Sequence, residues 1–488
     1  MGIDLIQISP SSQSQQHDSS ARPLPAPLIH AHPEKHLHSI SSQGKTFCIE
    51  TFGCQMNVHD SEKVAGVLMA RGYRPVEDSR EAYVVFYNTC SIREKAAQKV
   101  FSHLGQIKKA RQDNPPIIGV LGCVAQQEGD RIFERAPQVS LVCGSASYSK
   151  LPDILAQLEA GNRRVTGLGL DIDECFETEL TRRDNPFRAY ITIIEGCDKQ
   201  CSYCVVPMTR GPERSRRSEG ILADCQRLAG DGYTEIQLLG QTVNSYRDPS
   251  LAKLNFSELL LSVAAVRGIR RVRFTTSHPS DFTPEMVRAI DSTPVLCDHI
   301  HLPVQSGSDS VLARMRRTYT RGTYLAKIDC IRSAKRAISI STDIIVGFCG
   351  ETEKDFEQTL SLLDAVEYDS VYSFKYSPRA ITAAGAWPDD VPEDVKALRL
   401  AALQERQREI QLRRNQALVG SAFEVLVEGY HPRLQHTIGR TTSNRTINFP
   451  GEPGWAGGYM DVRVTDAGPN SLVGARIYET PRDGGAQE

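Results

Sequence analysis

The sequence predicts an α/β protein of three folded units in series: an amino-terminal parallel α/β domain, a central partial (β/α)6 barrel and a small carboxyl-terminal β-barrel. Three observations predict it. Between residues 46 and 121, β-branched runs alternate with helical patterns, and each run ends in a polar stretch holding a cysteine. From residue 189 to residue 376, six strand–helix units follow one another, as a parallel, partly closed barrel requires. Beyond a long charged helical stretch, five short strands separated by turn residues complete the chain.

The bulk numbers bound the function. A chain of 488 residues with 40% apolar side chains can bury about three cores. The net charge of −2 points to no class of partner, so any basic surface is local. Thirteen cysteines behind a start with no positively charged, then apolar, signal imply a reducing, cytoplasmic setting and metal chemistry rather than disulfides. No apolar run approaches the roughly 20 residues of a membrane span. Residues 1–44, rich in Ser, Gln, Pro and His, read as a disordered extension, with His30, His32, His36 and His38 in a solvated tail.

In the first unit, residues 45–161, Thr46–Thr51 forms a strand that leads to Phe52-Gly53-Cys54-Gln55-Met56-Asn57. A helix is predicted from about Asp60, apolar at Val64, Val67 and Leu68. Tyr83–Tyr87 is a strand ending in Asn88-Thr89-Cys90-Ser91, and a helix with Ala97, Val100, Phe101 and Leu104 follows. Ile117–Leu121 is a third strand, ending in Gly122-Cys123-Val124-Ala125. In a parallel sheet the carboxyl ends share one edge, so Cys54, Cys90 and Cys123 converge although distant in sequence. They form a three-thiolate cluster site with one iron left open. Cys48 and Cys143 read as packing residues, and Cys175, among acids in the connection 145–188, as incidental.

The central unit, residues 183–414, begins with a strand at Tyr190–Ile194 and the loop Gly196-Cys197-Asp198-Lys199-Gln200-Cys201-Ser202-Tyr203-Cys204. Three close thiolates can hold three corners of a cubane cluster, whose usual complement is four. A zinc site and buried thiols are the alternatives, but structural zinc wants four ligands and no fourth Cys or His is near. Further strands are expected at Glu235–Leu239, Arg271–Thr276, His299–Val304, Ser339–Gly347 and Val371–Tyr376. Cys225, Cys297 and Cys330 read as packing residues. Arginines crowd three places: Arg210, Arg214, Arg216 and Arg217; Arg267, Arg270, Arg271 and Arg273; and Arg314, Arg316, Arg317 and Arg321. Each run alone is a solvated face, whereas three in one barrel suggest a phosphate-binding rim.

Residues 393–416 form a long helix, apolar at Val395, Leu398, Leu403 and Ile410. The last unit, 416–480, carries strands at Phe423–Val427, Thr437–Arg440, Ile447–Phe449, Met460–Val464 and Ser471–Ile477. From Asn415 onward there are six arginines, no lysine and eight acids, so this unit is not basic.

The C-x3-C-x2-C loop, with Tyr203 before its last cysteine, resembles the radical S-adenosylmethionine (SAM) enzymes. Together with TFGCQMN, NTCSIREKA and LGCVAQQ it resembles the methylthiotransferase family within them, over roughly residues 45–480. The run Gly439–Phe449 resembles the TRAM domain of the tRNA-modifying branch, and NTCSIREKA points to the same branch. The resemblance implies two [4Fe-4S] clusters: one on Cys197, Cys201 and Cys204 that binds and cleaves SAM, and an auxiliary one on Cys54, Cys90 and Cys123 that supplies or carries sulfur. It places SAM against the barrel's strand ends, with Tyr203, Gln241, Asn244, Ser277 and Gln305 lining the cavity; turn chemistry is the alternative for each. It implies RNA contacts in the last unit, for which we take Arg440, Arg445 and Phe449, although Phe449 equally suits the core of the small barrel.

The activity implied is methylthiolation at C2 of N6-isopentenyladenosine next to the anticodon, position 37, of tRNA. That carbon is unactivated, so the cofactor carries the chemistry, and a single-stranded loop lets the base splay out. The tRNA anticodon loop is the expected partner of a monomer, with an electron donor and a sulfur source besides. Two alternatives share the layout: a ribosomal-protein aspartate methylthiotransferase, and an iron–sulfur RNA-binding regulator without enzymatic activity.

Overall fold

The structure, a computed structural model, describes residues 44–91, 100, 115–170 and 180–478. The extension up to residue 43, the helical positions Ala97, Phe101 and Leu104, and Cys175 lie outside the described residues.

In the amino-terminal unit β1 (Thr46–Phe52), β2 (Arg74–Pro75), β3 (Val84–Thr89), β4 (Ile117–Leu121), β5 (Leu141–Cys143) and β6 (Val165–Gly167) form one sheet in the order β2-β1-β3-β4-β5-β6. Every pairing is parallel. β3 is buried along its whole length, as a run of Val, Phe and Tyr covered on both faces should be. Helix α1 (Gln55–Ala70) begins five residues before the predicted Asp60. Its first turns were illegible because their buried face is polar: Asn57, His59, Asp60, Glu62 and Lys63 are all buried. Several of these meet charges of the central unit, Glu62 with Arg183, Lys63 with Glu195 and Asp60 with Arg210. Helices α2 (Cys123–Glu128), α3 (Arg131–Arg135) and α4 (Leu151–Glu159) follow among the described residues.

The central unit has its six strands in sequence order: β7 (Arg188–Thr192), then beyond a short antiparallel ribbon of β8 (Ile194–Glu195) and β9 (Arg214–Ser215), β10 (Glu235–Leu239), β11 (Arg271–Phe274), β12 (His299–His301), β13 (Ser339–Val346) and β14 (Ser370–Lys375). They form two parallel three-stranded sheets, β7-β10-β11 and β12-β13-β14. A parallel bridge between Val272 and Leu296 and the bond from Ser277 N to His301 O (3.3 Å) join them. Helices α5 (Val206–Arg210), α6 (Ser218–Gly230), α7 (Phe256–Ala264), α8 (Pro284–Ser292), α9 (Asp309–Arg314), α10 (Arg321–Arg332) and α11 (Glu353–Val366) follow the strands. Ile236, Leu238, Ile344 and Val346 point out to this helical layer and build the main core. The alternate positions Arg188, Glu235, Gln237, Arg273, Ser341 and Asp343 are polar, so the lumen lacks the apolar layers of a closed barrel.

Helix α12 (Glu393–Gln416) spans the predicted residues, and the predicted face holds at Leu403 and Ile410 but not at Leu398. Leu398 is 70% exposed, while Lys396, Arg399, Leu403, Gln407 and Ile410 are buried. Lys396 reaches Asp389 (2.6 Å) and Arg399 reaches Glu351 (3.0 Å), so paired charges seat the helix together with Leu403 and Ile410, which join the main core.

The last unit is a closed barrel of β15 (Ala422–His431), β16 (His436–Thr441), β17 (Thr446–Pro450), β19 (Leu472–Arg476) and β18 (Tyr459–Ala467), in that order. It sits on the amino-terminal ends of the central strands. Arg271 donates to Arg440 O (2.8 Å) and Glu424 O (2.7 Å), and Arg273 to Thr441 O (2.7 Å) and Thr442 O (3.1 Å). Arg188 pairs with Glu428 at 2.9 Å. Among the described residues no helix is long and apolar enough to cross a membrane.

Candidate functional site

The two thiol sites form for different local reasons. Cys54 caps α1, and its thiol lies 3.4 Å from Asn57 Oδ1. Asn57 donates to Asn88 Oδ1 (3.2 Å), while Asn88 donates back to Asn57 O (2.9 Å) and to Ser61 Oγ (2.9 Å). The amide pair thus ties the Cys54 loop to the end of β3, where Cys90 follows. Glycines allow the close approach. A Cβ on Gly53 would stand 2.4 Å from Asn57 Oδ1 and 3.0 Å from Cys90 Cβ, and one on Gly122 (φ +86°) 2.4 Å from Asn88 Oδ1. Gly122 in turn delivers Cys123 at the start of α2.

Cys90 hydrogen-bonds Cys54 and, with help from the Arg210 charge, brings the Cys54 thiol down to about 6. Burial pushes the Cys123 thiol up against the pull of the Arg210 charge. The strand ends therefore bring Cys54, Cys90 and Cys123 into mutual reach. Asn57, Asn88 and Arg210 were not singled out for this site from the sequence, though both asparagines lie in the cysteine-bearing stretches.

In the central loop Gly196 (φ +74°) makes the turn after β8; a Cβ there would stand 1.9 Å from Pro212 O. Ser202 anchors the loop through Oγ to Arg314 O (2.7 Å) and N to Met315 O (3.1 Å). Burial raises the Cys197 thiol and takes Cys204 up to about 12, with the Cys201 charge adding to both. Arg317, 8% exposed, donates to Cys201 Sγ (3.4 Å), Pro303 O (2.8 Å) and Tyr319 OH (2.7 Å). Tyr203 meets Phe348, from the loop after β13, edge to face at 6.3 Å.

Among the described residues no three Cys, His, Asp or Glu side chains meet around a single ion. A cubane attaches each thiolate to its own iron, so its ligands need not meet at one point. The donor chemistry of both three-thiol sets fits such a cluster, and buried thiols of raised pKa give up their protons on binding it.

Polar atoms without partners lie at the strand ends where the sequence places a cavity. Thr192 Oγ1, at the end of β7, and Gln241 Oε1, Ser277 Oγ and His278 Nε2, just past β10 and β11, are buried and unpaired. Buried polar groups normally find partners, so this cluster fits a polar ligand such as SAM. Asn244 does not line it freely. Its amide is committed to the His278 backbone, accepting from N (2.7 Å) and donating to O (2.9 Å), which makes it a brace between two strand ends. Gln305 holds a left-handed backbone (φ +75°) and pairs with β13 through Asp343 O (2.9 Å).

Three expectations are corrected. Phe449 is fully buried in the small barrel's core and stacks on Trp455, so it offers no base a platform. Arg445 is committed to Asp369, Asn415 (3.1 Å) and Ser443 (3.1 Å), and Arg440 to Glu428 through two 3.0 Å bonds. The phosphate rim is thinner than expected: Arg210, Arg271, Arg273 and Arg317 are buried, and Arg214, Arg216 and Arg314 pair with Glu195, Asp224 and Asp355, which leaves Arg217, Arg267 and Arg316 exposed, one from each run. Sequence density cannot tell an arginine facing water from one facing a carboxylate of another unit.

Residues 46–144 match the uncharacterized protein family UPF0004, residues 191–363 the radical SAM superfamily and residues 416–475 the TRAM domain. A tRNA-2-methylthio-N(6)-dimethylallyladenosine synthase of Solibacter usitatus (strain Ellin6076) is 63% identical over 435 residues, 88% of this chain and 98% of its own. Proteins of the same name from Koribacter versatilis (strain Ellin345) and Aquifex aeolicus (strain VF5) are 56% and 43% identical. They cover 90% and 88% of this chain, and 99% and 98% of their own. Among solved structures, the radical S-adenosylmethionine methyltransferase TsrM from Kitasatospora setae matches with a TM-score of 0.51. At 13% identity over 70% of this chain and 75% of that one, the likeness is one of fold.

Proposed function

The chain belongs to the tRNA-2-methylthio-N(6)-dimethylallyladenosine synthases, and from that premise we propose that it adds a methylthio group to C2 of N6-isopentenyladenosine at position 37 of tRNA. The observation that carries the reading is the coexistence, in one chain, of a C-x3-C-x2-C loop and a second thiol site gathered from three strand ends. We assign Cys197, Cys201 and Cys204 to the radical cluster and Cys54, Cys90 and Cys123 to the auxiliary one. Bound there, the two [4Fe-4S] clusters and SAM supply the one-electron chemistry that an unactivated aromatic carbon needs.

The chain's own residues hold and shield. Gln241 and Ser277 offer their unpaired polar atoms to SAM, with Thr192 beside them. Tyr203 and Phe348 cover the radical loop with apolar surface. Arg317 fixes a donor on Cys201. Asn244 keeps the two strand ends in register. The domain limits of the reading are 45–161, 183–414 and 416–480. It includes an electron donor and a sulfur source from outside the chain, a monomeric enzyme and a cytoplasmic site of action.

For the TRAM unit we assign the RNA contact to an exposed stack in place of the internal residues. The Arg476 guanidinium lies 4.9 Å from the Trp455 ring and 4.9 Å from that of Tyr478, and Tyr478 is 70% exposed. Arginine and aromatic planes of this kind stack on unpaired bases.

Mass spectrometry of tRNA nucleosides tests the function. A strain lacking the protein should keep isopentenyladenosine and lose its methylthio derivative, and complementation should restore it. 2-Methylthio-N6-isopentenyladenosine at wild-type level in the deletion strain would overturn the reading.

A further inference from the structure

Arg210 closes α5, a few residues past the last cysteine of the central loop, yet its side chain leaves the barrel for the amino-terminal unit. The side chain is 5% exposed and pairs at 2.5 Å with Asp60 of α1, itself 3% exposed. The helix that Arg210 closes packs on the helix that Cys123 opens, and the Arg210 charge reaches both Cys123 and Cys54. Tyr148, buried with an unpaired hydroxyl, lies within the reach of the same charges.

A buried ion pair is a poor way to gain stability, because apolar side chains of similar volume do as well. The pair has a second property that apolar packing lacks: it fixes a positive charge between α1, which Cys54 caps, and α2, which Cys123 opens. We infer that Arg210 is a positioning residue of the auxiliary site, contributed by the radical domain, which raises the reduction potential of the cluster held by Cys54, Cys90 and Cys123. Net charge and hydrogen bonds to sulfur are two of the levers that set cluster potentials. A fixed positive charge beside a ligand sulfur favours the reduced, more negative cluster. Asp60 moderates that charge and fixes its direction. Because α5 carries Arg210, a displacement of the radical loop moves the charge as well, so one short segment serves both sites.

The inference rests on reading the three thiols as cluster ligands, and the test separates the two. The full chain carrying Cys197→Ala, Cys201→Ala and Cys204→Ala is reconstituted anaerobically, so that iron reports on the auxiliary site alone. Redox titration followed by electron paramagnetic resonance then compares this parent with versions also carrying Arg210→Gln or Arg210→Lys. Arg210→Gln should keep the parent's iron content and lower the reduced-to-oxidised ratio at a fixed potential at least tenfold, which is 59 mV for one electron. Arg210→Lys, which keeps the charge, should lie nearer the parent. If Arg210→Gln alone unfolds, the Asp60→Asn, Arg210→Gln pair removes the orphaned carboxylate and the same comparison is made. A parent that binds no iron overturns the ligand reading and the inference with it. A loaded parent whose midpoint is unchanged in the neutral variant overturns the inference alone.

Discussion

Arg445 of the small barrel pairs with Asp369 at the foot of β14, and the contact joins two units that are far apart in sequence. Asp369 also accepts from Arg414 Nε (2.8 Å) and from Ile340 N (2.8 Å), and its side chain is 4% exposed. One carboxylate therefore organises the helix, the barrel floor and the terminal unit together. Removing it strands two arginines. Asp369→Ala should cost about 3 kcal/mol and Arg445→Ala about 1–2 kcal/mol, because Arg414 remains on the carboxylate. Both should lower the melting temperature, which differential scanning calorimetry checks. An Arg445→Ala protein with unchanged melting and weaker tRNA binding would return this arginine to the RNA surface.

Phe449→Ala should behave as a core truncation. The ring is fully buried among Val425, Val427, Ile447, Val462 and Leu472. Deleting it should cost about 3–5 kcal/mol, read as an early unfolding step of the terminal barrel in urea. By contrast Tyr478→Ala with Arg476→Ala should leave melting nearly unchanged. Their tRNA affinity should fall about tenfold, near 1.4 kcal/mol, as measured by filter binding at fixed salt.

The difference between these residues shows what was legible. Strand existence was, because apolar alternation and β-branched runs report burial directly: β4, β10 and α12 end where the pattern ends. The gathering of Cys54, Cys90 and Cys123 was legible because a parallel sheet fixes where strand ends lie, and that of Cys197, Cys201 and Cys204 because one loop holds them. The environment of a charged residue was not. Arg445, Arg273 and Arg210 look alike in sequence to an arginine in water, and their carboxylate or carbonyl partners come from other units. The start of α1 was hidden for the same reason, since its buried face is polar. Phe449 showed the reverse ambiguity, because an aromatic in a strand serves a core or a stacking surface with the same local pattern.

Buried histidines should set the acid side of stability. Burial, then the charges of Arg317 and Lys199, brings His278 down to about 3, and burial also holds His59 and His299 well below the usual histidine range. The sign follows from linkage. The unfolded chain binds protons near pH 6.5 that the native chain refuses, so the stabilisation is present above about 6.5 and is lost as pH falls towards the folded value. For His278 that window runs from about 6.5 to about 3. Melting temperature should decline from pH 7 to pH 5, and His278→Gln should flatten the decline. One histidine accounts for at most about 1.4 kcal/mol per pH unit. A variant with the same slope as the parent would remove His278 from the account.

The two thiol sites should load separately and fail differently. The amino-terminal set is built by Asn57, Asn88 and two glycines of its own unit, the central set by Ser202, Gly196 and Arg317. No cysteine is shared, so anaerobic reconstitution should give about eight irons per chain, four for each cubane. Cys197→Ala, Cys201→Ala and Cys204→Ala together should remove about half of them. Complete loss of cluster absorbance in that variant, with secondary structure intact, would count against independence. Function should divide along the same line. Cys201→Ala takes away the thiolate on which Arg317 bears and a ligand of the radical cluster, so reductive cleavage of SAM should vanish. Cys90→Ala leaves the central loop, Tyr203 and the cavity residues untouched, so 5′-deoxyadenosine should still form while methylthio insertion into tRNA stops. Chromatography of deoxyadenosine and nucleoside analysis of the same reaction give both readouts. Normal methylthio product from the Cys90→Ala enzyme would disprove the auxiliary assignment, because the strand-end site would then hold nothing that the reaction needs.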